Sequence, residues 1–255
     1  MNSDSMKTSY GHQILMEMRE SPQLTKWTFE LVQKYIKKSV LEIGSGIGNN
    51  VSQLLTYSDE VIATDIDEKY LSIMKEKFKE FSVKIYKFDV TKTFDKDVKV
   101  ETVFCSNVLE HIADEEAALK NIKSLLKEEG SLILIVPQGA GLFSSIDKSL
   151  DHLRRYDEQD LRTLLTQCGY QIQHLFSYNK IAVLGWYWQG KIRKTQTLGK
   201  KNMKLYNLLV PIFKLLDPYL PWNGLSWCVI AKTSCRFSNE KSDLNSTNST
   251  HTSDR

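Results

Sequence analysis

The sequence predicts an α/β domain built on an open, mostly parallel sheet with helices on both faces. Three observations carry this. Short apolar runs bounded by turn residues alternate with stretches whose apolar residues recur at helical spacing. The first run ends in a cluster of glycines, as a parallel strand does where it turns into a helix. A later run, at 131–136, is apolar almost throughout, as a central strand covered on both faces must be.

Residues 1–38 are polar and carry Asp4, Glu17, Arg19 and Glu20 without a long apolar stretch, so they do not read as a secretory signal. The first strand is 40–43, ended by Gly44-Ser45-Gly46-Ile47-Gly48, and a helix is expected over about 50–57. A second strand, 61–65, leads to Asp67, placed to cap a helix with Leu71, Met74 and Phe78 on one face. Strands at 84–88 and 102–105 follow, the latter running into Asn107-Val108-Leu109-Glu110-His111. The next helix has Asp114 as N-cap, Glu115 and Glu116 in its first turn, Leu119, Ile122, Leu125 and Leu126 as core face and Gly130 as its stop. After the fifth strand, 131–136, Asp157 caps a helix bearing Leu161, Leu164, Leu165 and Cys168, stopped by Gly169. Strands at 170–176 and 227–231 complete the sheet. The residues between them, about 178–224, exceed what a minimal sheet needs and form an insertion. Beyond Cys235 the composition turns to Ser, Asn, Thr, Asp and Lys, so 237–255 reads as a disordered tail. The Asn-Ser-Thr triplets at Asn245 and Asn248 would be sugar acceptors only in a secreted protein.

A chain of 255 residues accommodates one sizeable core. With 34 Lys and Arg against 31 Asp and Glu, the charge is too balanced for a general nucleic-acid binder. Cys105, Cys168, Cys228 and Cys235 form no C-x-x-C pair and have no His at zinc spacing, so they read as reduced thiols in a cytoplasmic protein and no metal is expected.

Open parallel sheets bind ligands beyond the carboxyl ends of their strands, where the glycine turn lies. Glycines at 44, 46 and 48 allow a tight turn and close approach of a ligand to the backbone. Asp65 ends the second strand 17 residues after Gly48, where a carboxylate can accept two hydrogen bonds from a ribose diol. An adenosine-type ligand fits. A dinucleotide fingerprint would place its third glycine where Asn49 stands, which argues against a dehydrogenase.

Leu41-Glu42-Ile43-Gly44-Ser45-Gly46-Ile47-Gly48 resembles motif I of the class I S-adenosylmethionine-dependent methyltransferases, and Asn107-Val108-Leu109-Glu110-His111-Ile112 resembles the post-strand-four motif of their ubiquinone-biosynthesis-like, small-molecule branch (methyltransferase types 11 and 12). The resemblance implies a Rossmann-like, doubly wound seven-stranded sheet in the order 3-2-1-4-5-7-6, with a helical insertion between strands 6 and 7. It implies S-adenosyl-L-methionine as cofactor. Glu42 would orient the methionine amino group, Gly44, Ser45 and Gly46 would line the methionine tail, and Asp65 with Ile66 would hold the ribose side. Asp89 and Val90 would cradle adenine, and Asn107 would sit beside the sulfonium. Residues 1–38 would form a helical lid, with Tyr10 over the cofactor. His111, His152 and Tyr156 are the candidates to take a proton from the acceptor. A catalytically inactive methyltransferase-fold partner subunit is the alternative, opposed by the intact set of Glu42, Asp65 and the glycines.

The insertion carries Trp186, Trp188 and Trp222 near Lys191, Arg193, Lys194, Lys200, Lys201 and Lys204. Aromatic anchors beside basic residues suit a peripheral membrane contact and a lipid-like acceptor. A helical cap burying the rings against the sheet, with a soluble small-molecule acceptor, explains them equally.

Overall fold

The computed structural model describes residues 19–233 together with Gln13, Met16 and Glu17. Its strands are β1 (Ser39–Ile43), β2 (Glu60–Asp65), β3 (Val83–Lys87), β4 (Val100–Ser106), β5 (Leu126–Pro137), β6 (Tyr170–Tyr178) and β7 (Ser226–Thr233). They form one sheet in the expected order, β3-β2-β1-β4-β5-β7-β6. The pairs from β3 to β5 are parallel, and β7 is antiparallel to both its neighbours.

Side chains alternate across this sheet, so the central strands feed two cores. Leu41, Val103, Leu132 and Leu134 face α4 (Glu115–Leu125) and α6 (Glu158–Gln167), which bury Leu119, Ile122, Leu161 and Leu165. Val40, Phe104, Ile133 and Ile135 face the other way, towards α1 (Pro22–Val32), α2 (Val51–Leu54) and α3 (Glu68–Lys77). On that side Phe29 stacks on Phe104 with ring centroids 5.3 Å apart.

Asp67 and Asp114 cap α3 and α4 as expected, accepting from Lys69 N (2.8 Å) and Ala117 N (2.9 Å). Asp157 precedes α6 but makes no capping bond; its Oδ1 accepts from Ala140 N at 3.1 Å. The helix expected to stop at Gly130 ends at Leu125, and Leu126 already pairs with Val100. The left-handed residue there is Glu129, at φ 58°. Gly130 answers to space instead, since a Cβ would lie 2.9 Å from the Lys127 carbonyl oxygen. The helix expected over 50–57 shrinks to α2, and its later residues form tight turns, Thr56 N to Gln53 O and Tyr57 N to Leu54 O. A short α5 (Ser145–Ser149) has no counterpart in the sequence reading. Cys105, Cys168 and Cys228 are buried free thiols. Tyr10, Cys235 and the tail 237–255 lie outside the described residues.

Because β5 and β6 both run antiparallel to β7, they are parallel to each other. The insertion therefore leaves β6 and re-enters β7 at the carboxyl edge of the sheet, where Tyr178 pairs with Ser226. Gly224 lies so close to the Tyr178 carbonyl oxygen that a Cβ would sit 1.9 Å from it. The insertion holds α7 (Ala182–Tyr187), a π-helical turn (Trp188–Ile192) and α8 (Lys200–Leu216). α8 packs on α1, with Asn207 Oδ1 accepting from Gln23 N at 2.8 Å.

Truncating Phe104 should open a cavity between α1 and the sheet. Phe104→Ala is expected to lower the unfolding free energy by about 3 to 5 kcal/mol, measured by urea denaturation, and a change under about 1 kcal/mol would mean that α1 does not depend on this stack.

Candidate functional site

The turn after β1 is built from three left-handed glycines, Gly44 (φ 67°), Gly46 (54°) and Gly48 (74°). Two of them are also pressed by neighbours. A Cβ on Gly44 would lie 2.4 Å from Val108 Cγ2, and one on Gly48 2.4 Å from Phe78 Cε2. The turn is tied to the end of β2. Gly46 N donates to Asp65 Oδ2 (2.7 Å), Ser45 N to the Thr64 carbonyl (2.8 Å) and Thr64 N to Ser45 Oγ (3.2 Å).

Asp65 is buried, and burial raises its carboxyl pKa against the hydrogen bonds from the Asp67 and Gly46 amides. Its Oδ1 accepts from Asp67 N at 2.9 Å. Each carboxylate oxygen can accept about two bonds, so capacity remains on both. Glu42, near the end of β1, is fully buried. Its Oε1 accepts from Asn50 Nδ2 at 2.9 Å, while Oε2 has no hydrogen-bond partner. Burial pushes its pKa up to about 7, opposed chiefly by the Asn50 hydrogen bond. An orphaned carboxylate oxygen in a buried site calls for a cationic donor.

The remaining expected contacts divide. Ile66 is exposed beside Asp65. Asn107 is exposed in the left-handed conformation (φ 53°) just past β4, its amide bonded to the Ile135 carbonyl at 2.9 Å. Asp89 is engaged locally: Thr91 Oγ1 donates to it at 2.7 Å and Lys92 pairs with it at 3.0 Å, and these partners lower its pKa. The Val90 side chain belongs to the core, and its carbonyl accepts from Asn121 Nδ2 at 2.9 Å.

Past Asn107, the chain brings together residues the sequence reading separated. His111 and His152 meet edge to face, ring centroids 4.8 Å apart. His152 Nδ1 lies 3.0 Å from Asp147 Oδ1, and its Nε2 lies 3.8 Å from Glu110 Oε1. Asp147 also accepts from Arg155 Nε (2.8 Å), Ser144 N (2.8 Å) and Ser144 Oγ (3.0 Å). Burial works to raise the Asp147 pKa, but the His152 hydrogen bond and the Arg155 charge outweigh it and hold it low. Glu110 is fully buried with neither carboxyl oxygen hydrogen-bonded, and burial pushes its pKa up to about 8. His111 keeps part of its ring in solvent, yet the surrounding protein and then His152 push its pKa down, so it is neutral at pH 7. The ligand atoms of Glu110, His111 and His152 lie within 4.8 Å of one another, so this cluster could also converge on a cation.

Tyr156 is not a free base. It is buried, its hydroxyl donates to Glu115 Oε1 at 2.7 Å, and burial with this carboxylate raises its pKa beyond any useful range. Its carbonyl accepts from Trp227 Nε1 at 3.1 Å, so it braces the sheet edge. Glu110 and Asp147 were not singled out from the sequence. A signal existed for the second, since Ser144 and Asp147 form a capping box at the start of α5.

The described part of the N-terminal segment reaches the same edge. Met16 and Arg19 line a cavity of about 180 Å³ with Ile47, Ile73 and Lys77, beside the glycine turn. Lys77 Nζ donates to the Gly48 carbonyl at 2.8 Å. Glu17 Oε2 accepts from Leu198 N (3.1 Å) and Gly199 N (3.0 Å), fastening this segment to the start of α8.

Residues 41–134 match the family described as "Methyltransferase domain". A reducing polyketide synthase of Preussia isomera is 28% identical over 144 residues, which are 52% of this chain and 6% of the synthase. A probable S-adenosylmethionine-dependent methyltransferase of Mycobacterium tuberculosis is 22% identical over 142 residues, 55% of this chain and 51% of that protein. The chain thus spans 6% of the length of the first of these relatives and about half of the second. Among solved structures, the N-methyltransferase NodS of Bradyrhizobium japonicum, in complex with S-adenosyl-L-homocysteine, superposes with TM-score 0.54 at 11% identity, over 82% of this chain and 84% of that one. That likeness establishes a shared fold.

The raised pKa of Glu42 has a consequence for stability. The native state holds its proton up to about pH 7, whereas the unfolded chain releases it near 4.5. The stabilisation from Glu42 is therefore full below about 4.5 and lost as pH rises through about 7, amounting to about 3 kcal/mol. Glu42→Gln, which stays neutral, should match the parent protein near pH 4.5 and exceed its stability by up to this amount at pH 8 in urea denaturation. Equal stability at both pH values would mean that the carboxyl is hydrated.

Proposed function

Since residues 41–134 match a methyltransferase domain, we propose that the chain is a class I S-adenosylmethionine-dependent methyltransferase acting on a small-molecule or lipid-like acceptor. The observation that carries this reading is the buried, unpartnered Glu42 Oε2 beside a turn of three left-handed glycines. That pairing suits a zwitterionic amino-acid tail, with an ammonium for the carboxylate and close backbone approach for the chain. Asp65 retains acceptor capacity for a ribose diol, and the exposed Ile66 offers an apolar face beside it.

When bound, the cofactor supplies a methyl group already activated by positive sulfur. Alignment and exclusion of water then account for most of the acceleration the protein must provide. Of the three proton acceptors expected from sequence, Tyr156 is committed to Glu115. His111 is neutral and partly open to solvent. His152 stands behind it, its ring held at Nδ1 by Asp147. In this reading His111 takes the acceptor's proton and His152 positions it.

Calorimetric titration with S-adenosylmethionine and S-adenosylhomocysteine, with NAD as control, should give micromolar binding of the first two only. Asp65→Ala should weaken that binding by about 2 to 4 kcal/mol, the range for charge-assisted hydrogen bonds in a desolvated site. Binding of neither ligand by the folded protein would refute the reading, and unchanged affinity in the variant would remove Asp65 from the site. Once an acceptor is found, His111→Gln should lower kcat by about 100-fold or more with cofactor affinity unchanged; an unaltered kcat would exclude His111 as the base.

A further inference from the structure

α8 is apolar on two opposite sides. Met203, Tyr206 and Val210 face the core, and the Tyr206 hydroxyl donates to Asn179 Oδ1 at 2.6 Å. The other side carries Leu205, Leu208, Ile212, Leu215 and Leu216, continued by Tyr219 in the following turn, and all are exposed, Leu208 at 73% and Tyr219 at 81%. At 100° per residue these positions fall within one sector of the helix. Leu184, Tyr187, Trp188 and Ile192, spaced at one helical turn on α7 and the π-helical turn, are exposed as well. Soluble proteins rarely leave apolar patches of this extent open unless they bind something.

What covers this face is indicated by its charge. Between 178 and 224 stand eight basic residues against Asp217 alone; Lys204 pairs with Glu20, Lys214 with Glu30, and Lys180 Nζ donates to the Leu220 carbonyl, which leaves Lys191, Arg193, Lys194, Lys200 and Lys201 to set the charge of this face. Asp217 is buried, and its Oδ1 accepts from Lys180 N at 2.6 Å, so it offsets little of the surface field. A second copy presenting the same face would repel it, whereas an anionic bilayer matches both the apolar residues and the lysines. The geometry fits lying on a membrane. α8 has 17 residues, about 25 Å of helix, and among the described residues no helix is long and apolar enough to cross a membrane.

We propose that the insertion, α7 to Trp222, docks on an anionic lipid surface and presents the cleft to it. The face is coupled to the site. Trp186 of α7 lies under the Arg155 guanidinium, 4.6 Å from carbon to ring centroid, and Arg155 holds Asp147, which holds His152. Ser145 Oγ of α5 donates to the Gly190 and Thr195 carbonyls, tying the same segment to the π-helical turn. A lipid or lipid-linked acceptor would thus reach His111 from the membrane side; that acceptor class rests on the proposed methyl transfer, and the docking does not.

The test is sedimentation of the full chain with vesicles of phosphatidylcholine, with and without phosphatidylglycerol. Binding should be about tenfold or more tighter with the anionic lipid and should weaken with salt. The double variant Leu208→Asp, Leu215→Asp should lose it. Charge reversal at Lys194, Lys200 and Lys201 should weaken it about tenfold, a change at exposed positions that spares the fold. Calorimetry with S-adenosylmethionine on the same samples separates a failed docking surface from a failed methyltransferase reading. No sedimentation, equal binding to both vesicles, or a dimer in solution that the leucine variant splits would each overturn the proposal.

Discussion

The hydrogen bond from the Gly46 amide to Asp65 joins the turn after β1 to the end of β2, and the cleft is built outward from it. A turn with three left-handed residues has many alternatives in the unfolded chain, so fixing it is entropically unfavourable. The compensation is local. A charge-assisted bond inside a desolvated site contributes about 1.5 to 3 kcal/mol, and the Ser45 and Thr64 bonds repeat the link along the backbone. Val108 and Phe78 close the space in which any side chain could replace a hydrogen at Gly44 or Gly48. In the proposed reading the same carboxylate that fixes the turn also accepts from the ligand, so positioning and binding are carried by one group.

A second constraint organises the cluster beyond β4. Asp147, Arg155, Glu110 and His152 are packed with almost no solvent contact. Removing one partner from such a set leaves an uncompensated charge, a loss of about 3 to 5 kcal/mol. The set therefore acts as a rigid frame. Arg155 extends it to the Gln138 carbonyl at 3.0 Å on one side and to Trp186 on the other. A shift of α7 would reach His152 through three contacts, Trp186 to Arg155, Arg155 to Asp147 and Asp147 to His152.

The sheet and most of its helices were legible because period and turn chemistry agree there. Strand 131–136 is apolar on both faces, Asp67 and Asp114 are caps in fact, and Glu42, Asp65 and the glycines lie together at the carboxyl edge. Gly130 misled, because a glycine after a helical pattern reads as a C-cap while here it relieves a steric contact within an extended segment. Asp157 misled for a similar reason: a capping residue has a second use when a loop amide, that of Ala140, comes within reach. Tyr156 looked available because sequence gives no sign of Glu115 arriving from a helix 41 residues away. Glu110 and Asp147 were missed since their roles depend on burial, which no local pattern encodes.

Topology explains why the insertion sits where specificity would be needed. β7 runs antiparallel to both its neighbours, and its reversal sends the chain from β6 back into the sheet at the carboxyl edge. An insertion at this point must rise beside the cleft, whereas one at the opposite edge would be remote from it. Within the insertion, α8 does not need its outer face for folding, because Met203, Tyr206 and Val210 hold it to the core and Asn207 to α1. The outer leucines are therefore free of structural duty. Their apolar character is what the proposed docking accounts for, and the basic residues beside them favour a surface of negative charge.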